Sequence, residues 1–193
     1  SSLARMYLER KNICVALFHA NNAVNIFYIT CGADSPLLAS ALRVQAQILF
    51  ARRHPLDAIH SYTQALEIET HKDGIDLMAL IEIQQGILDS YKTVGKSVRL
   101  LRKPFLIAVK ACAKAQRLVD KDGNLGAFHK IMGELGIWAE EYLESKKLFE
   151  AAIPFFRNEK TMDCSNLIEQ CESLILLLDK KLANRYSNEK CMP

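Results

Sequence analysis

The stretch AIHSYTQALEIE, residues 58–69, sets Ala58, Tyr62, Ala65 and Leu66 at i, i+4, i+7 and i+8. That spacing is one face of an α-helix. The face alternates small, aromatic and small, so a neighbouring backbone can come close while the ring fills the gap. Upstream, AVNIFYITC at 23–31 places Ala23, Phe27, Thr30 and Cys31 at the same offsets, 35 residues earlier. A helical motif recurring at such an interval points to an array of stacked helical units.

At these residues the chain resembles the second helix of a tetratricopeptide repeat, whose pattern is Ala, an aromatic four on, Ala seven on, then Leu. The resemblance implies an all-α protein: a right-handed α-solenoid of about four antiparallel helix pairs with a C-terminal capping helix. The best-matching unit is 36–70. Asp34 or Ser35 caps its first helix, Pro36 suits the first position, and Leu42, Ala46 and Leu49 form the buried stripe to about Arg53. Gln45 departs from the family's apolar preference. Pro55 then opens the second helix.

KDG at 72–74 is a stop, and the next helix is expected over 75–93. Tyr91 and Gly95 match the family's aromatic and inter-helix glycine, whereas Gln84 again stands where a bulky apolar residue is preferred. KSVRLLRKP at 96–104 is expected to be an insertion or longer turn, with a helix carrying Ala108, Cys112 and Ala115 starting at Pro104. DKDGN at 120–124 is a turn. A helix is expected from Leu125 to Leu143, and FEAAIPFF at 149–156 is expected to form another, with Pro154 near its first turn. Asp163 or Ser165 caps a last helix to about Leu182, striped with Leu167, Ile168, Cys171, Leu174, Ile175 and Leu178. The first helical stretch, 3–31, is expected to break near Asn21-Asn22. Residues 1–182 read as one helical-repeat domain, and 183–193 as a polar, disordered tail. Without an initiator Met the chain reads as a fragment of a longer protein. The intervals 35, 50 and 44 between successive motif alanines are not one period, and those in the forties also fit kinesin-light-chain-like, HEAT or SNAP-adaptor arrays.

The 25 basic and 22 acidic residues are interspersed for a net charge of +3, without the concentrated basic face that nucleic-acid binding requires. No signal peptide is recognisable, and no unbroken apolar run approaches the ~18 residues of a membrane span. The cysteines Cys14, Cys31, Cys112, Cys164, Cys171 and Cys191 form no zinc-type set. All but Cys191 are expected to pack as small hydrophobes. They read as reduced, which places the protein in the cytoplasm, with the nucleus as the other option. Cys164 and Cys171 are about 10 Å apart along one helix and cannot bridge.

No nucleotide, zinc-protease or serine-hydrolase motif is present, so no catalytic residue, cofactor or metal is assigned. His19 and His129 are expected in the core or groove. In the resembling family the first helix of each pair lines a concave groove, which implies Ser40, Arg43, Gln47 and Phe50 in one helix and Glu82, Gln85, Asp89 and Lys92 in the next. The family's Lys/Asn clamp for terminal carboxylates is missing at these positions. Lys96, Arg99, Arg102 and Lys103 form a basic cluster for an acidic partner or phosphates. The expected function is a non-catalytic scaffold that binds a partner protein or peptide, with no small-molecule substrate. The alternatives are a structural subunit whose surface is buried in a complex, and a nucleic-acid contact through 96–103.

Overall fold

The computed structural model describes residues 12–71, 76–94, 98–118, 123–159 and 164–189. Among these there are eight helices and no strand: α1 (Ile13–Cys31), α2 (Pro36–Ala51), α3 (Pro55–His71), α4 (Leu77–Val94), α5 (Val98–Leu118), α6 (Gly123–Trp138), α7 (Tyr142–Asn158) and α8 (Ser165–Glu189). They form two compact units, α1–α4 and α5–α8. Within each unit, helices adjacent in sequence pack on one another, and α2 also packs on α4.

In the first unit, α1 runs unbroken through Asn21-Asn22. The expected break is absent because the Asn21 side chain does not compete for the backbone. Its Oδ1 accepts from Gln45 Nε2 at 2.9 Å, and Gln45 Oε1 accepts from Ser61 Oγ at 2.9 Å. This chain of amides and a hydroxyl ties α1, α2 and α3 together and explains the polar residue at 45. Ala16 and Ala20 of α1 are buried against Val44 and Ile48 of α2. Its outer side leaves Phe18, Ile26, Tyr28 and Ile29 exposed. Unlike the sequence expectation, α1 is long and apolar enough to cross a membrane by length and composition. It carries no Asp, Glu, Lys or Arg, and the strict apolar count failed on His19, Asn21, Asn22 and Asn25.

Ser35, not Asp34, caps α2: its Oγ accepts from the Leu37 amide at 3.2 Å. Asp76 does the same for α4 through the Ala79 amide at 3.0 Å. Ala58, Tyr62, Ala65 and Leu66 of α3 are all buried, as are Leu42 and Ala46 of α2, while Leu49 is half-buried. The expected stop at 72–74 and Gly95 lie outside the described residues.

In the second unit, α5 begins at Val98 and holds Pro104 inside it, so the expected turn over 98–103 is helical. α6 ends at Trp138, five residues before the expected Leu143, and α7 starts at Tyr142, so Pro154 falls near its end rather than its beginning. An internal proline costs a helix about 3 kcal/mol, and at both positions packing overrides the local preference. The glycines of α6 are contact points: a Cβ at Gly133 would stand 2.7–2.9 Å from the Phe149 ring, and one at Gly136 2.8–3.0 Å from Phe105. They let α5 and α7 approach α6 from two sides.

The α7 start shifts the motif reading. Ser145, Phe149 and Ala152, all fully buried, repeat the small–aromatic–small spacing of Ala58, Tyr62 and Ala65 at an offset of 87 residues. The turns agree as well. After α2, Arg53 is left-handed (φ 63°), its amide donates to Phe50 O at 2.9 Å, and the His54 amide donates to Leu49 O at 2.9 Å. After α6, Glu140 is left-handed (φ 60°), its amide donates to Ile137 O at 3.2 Å, and the Glu141 amide to Gly136 O at 2.9 Å. Both are Schellman closures built without glycine, so no sequence signal marked the break between α6 and α7.

α8 extends to Glu189, past the expected Leu182, so 183–189 is helix rather than tail; 190–193 lie outside the described residues. Cys171 and Leu178 are buried against Phe149, Ala152 and Phe156 of α7, with Leu167, Ile168, Leu174 and Ile175 packed around them. Lys146–Asp179 (2.6 Å) and Arg157–Glu172 (3.3 Å) flank the seam. Cys164 and Cys171 are buried free thiols, whereas Cys14 and Cys31 are exposed, contrary to expectation, because they lie off the α1 stripe that faces α2.

A left-handed non-glycine residue costs roughly 1–2 kcal/mol. Glu140→Gly is therefore expected to raise the urea unfolding free energy by about 1 kcal/mol, and an unchanged or lower value would contradict the turn.

Candidate functional site

The site is assembled on α2 and α4, which share a face of the first unit. Ser40, Arg43, Gln47 and Phe50 of α2 are half-buried; on α4, Gln85 and Asp89 are half-buried and Glu82 and Lys92 exposed. The two stripes meet where Arg43 Nη1 lies 3.2 Å from Glu82 Oε2. The Arg43 side chain is 17% exposed and that of Glu82 54%. Along α4, Gln85 Nε2 donates to Asp89 Oδ1 at 2.8 Å. Ser40, Gln47 and Phe50 share the α2 stripe without entering these bonds.

Sequence reading missed Tyr62 as part of this site. It belongs to α3, but its ring lies over Gly86 of α4, where any Cβ would overlap it. Its phenol is pushed up to about 12 by burial first, then by Asp89 and Glu82, with Arg43 opposing. The hydroxyl therefore stays protonated throughout the neutral range. A glycine amid the large residues of 77–94 was the available signal: only a close approach makes Gly preferable to Ala in mid-helix.

Beneath the stripe lie buried polar atoms with no hydrogen-bond partner among the described residues: Arg43 Nε, both polar atoms of Gln84, and Ser90 Oγ. Gln84, flagged from sequence as a departure, is fully buried. Stranding such a group costs about 1–3 kcal/mol. Gln84→Leu is expected to stabilise the fold by roughly that amount in chemical denaturation; destabilisation would mean that the amide has a partner.

Arg102 and Lys103 are the members of the expected basic cluster whose side chains fall among the described residues. Lys96 lies outside them, and Arg99 falls in the first turn of α5. Arg102 is exposed and lies 3.8 Å from Glu141, and Lys103 is exposed. An open hollow of about 400 Å³ is lined by Arg53, His54, Pro55, Leu56, Asp57 and Val94, with His54 and Asp57 3.8 Å apart. Among the described residues no three His, Cys, Asp or Glu side chains group as a metal set.

Of the histidines, His129 is the most enclosed. It is fully buried in α6, its Nδ1 donates to Leu125 O at 2.6 Å, and Phe155 stacks on the ring at 5.5 Å. Burial, the larger effect, lowers its pKa, and the Leu125 bond opposes. The folded state thus holds it neutral below pH 6.5, where the unfolded chain takes up a proton. Stability is then full above about pH 6.5 and falls as pH drops from there towards the depressed folded value. The measured loss of unfolding free energy between pH 7 and 5 is expected to shrink in His129→Leu, which installs the residue found at the matching position Leu42.

No protein-family model matches this sequence, and a comparison with curated proteins finds no match to it.

Proposed function

We propose that this chain is a non-catalytic helical-repeat module that holds a partner polypeptide along the α2/α4 stripe. The observation that carries the reading is the Arg43–Glu82 pair, which joins α2 to α4 across one face. Supporting it are the packing of α2 on α1, α3 and α4, and the recurrence of one hairpin motif and turn 87 residues apart. In a right-handed solenoid, alternate helices line a common groove and a terminal helix closes the end. An 87-residue recurrence is two periods of about 43, within the range of paired-helix arrays rather than the 34 of tetratricopeptide units.

This reading makes the protein a cytoplasmic scaffold, nuclear by the same chemistry, with no cofactor and no small-molecule substrate. α1 is then an array helix bound to its neighbour through Asn21–Gln45 rather than a membrane span. A structural-subunit reading is favoured by a different observation, the exposed Phe18, Ile26, Tyr28 and Ile29 on α1. Contact with nucleic acid through 96–103 is disfavoured by the near balance of 25 basic and 22 acidic residues along the chain.

The readings separate by comparing partner capture. Reversing Glu82, Asp89 and Lys92 together is expected to abolish binding of the partner that the unaltered chain captures, with far-UV circular dichroism unchanged. Ile26→Ser with Ile29→Ser is expected to leave capture intact. The opposite pattern would favour the structural subunit.

A further inference from the structure

Tyr62 carries a hydroxyl that packing does not require. The residue is only 5% exposed, and its ring crosses Gly86, where a Cβ would lie 2.6 Å from the hydroxyl oxygen. The crossing delivers that oxygen from α3 to the stripe, within electrostatic reach of Asp89, Glu82 and Arg43. Among the described residues the hydroxyl makes no hydrogen bond. A buried phenol aimed at a surface stripe and left unpartnered is waiting for an outside group.

The charges decide which group. In the Arg43–Glu82 pair the carboxylate is the exposed member, so the pair turns its negative side outward. Asp89 is bound by the neutral amide of Gln85 rather than by a cation in that bond. Arg43 lies behind, fixing Glu82 in place. Lys92, one turn on, marks the far end of the stripe. We propose that Glu82, Asp89 and the Tyr62 hydroxyl form a receptor for one cationic side chain, Lys or Arg, presented by a partner polypeptide. An ammonium or guanidinium donates to both carboxylates and to the phenolic oxygen, three acceptors on one face. This rests on the stripe being the binding surface and adds the chemistry of what it holds.

The test is a fluorescence-anisotropy titration of the whole chain with short labelled Lys/Ser, Glu/Ser and Gly/Ser peptides. The Lys/Ser peptide is expected to bind tightest. Glu82→Gln and Asp89→Asn are each expected to weaken it about tenfold, the size of one charge-assisted hydrogen bond. Tyr62→Phe, which keeps the ring over Gly86, is expected to weaken it several-fold with an unchanged melting temperature. Glu169→Gln, an exposed carboxylate of α8, is expected to have no effect. Equal weakening by Glu169→Gln, or no preference for Lys/Ser over Gly/Ser, overturns the receptor. Preference for Glu/Ser, lost in Arg43→Gln, overturns it too but leaves the stripe as the binding surface. Indifference of every peptide to every stripe substitution removes both.

Discussion

Aromatic rings set against bare backbone hold each half of this protein together. Tyr62 lies over Gly86 and Phe149 over Gly133, in both cases at distances a Cβ would not permit. Helices normally approach to 8–10 Å, the separation being set by the side chains at the contact. Removing the side chain from one partner lets a large ring from the other fill the space at high packing density. Such a contact fixes rotation about both helix axes, because only one register brings the ring to the glycine. The rest follows from that register: which residues of α4 join the α2 stripe, and which face of α6 meets α5.

The connections are subordinate to this packing. Arg53 and Glu140 adopt a left-handed conformation that ordinarily falls to glycine, and both close the same pair of backbone hydrogen bonds. The strain is local and modest beside the apolar area that two antiparallel helices bury. The same holds for Pro104 and Pro154, each inside a helix that continues past it. Tertiary contacts decided where the helices run, and local chemistry yielded.

Polar residues at the helix contacts divide into two kinds. Gln45 bonds Asn21 on one side and Ser61 on the other, so three helices share one satisfied network. Gln84 and Ser90 have no such partners among the described residues. Both glutamines depart from the apolar pattern in the same way on paper. Only the first contributes to cohesion, since a buried polar group stabilises when its bonds are made and destabilises when they are not.

Helix period, small–aromatic spacing and capping residues are local properties of the chain, and they were enough to establish an all-helical protein and most of its buried stripes. Leu167 to Leu178 of α8 and Ala58 to Leu66 of α3 could be placed from spacing alone, because a helix face depends only on a residue's position in the chain. The break at 139–141 could not, since neither Gly nor Pro marks it and the closing bonds come from backbone. Nor could the pairing of Arg43 with Glu82 be read, although both residues were named as groove positions. Tyr62 was legible as packing but not as part of the stripe. Its ring crosses onto α4 only because Gly86 leaves the space open, and such a space belongs to neither helix alone.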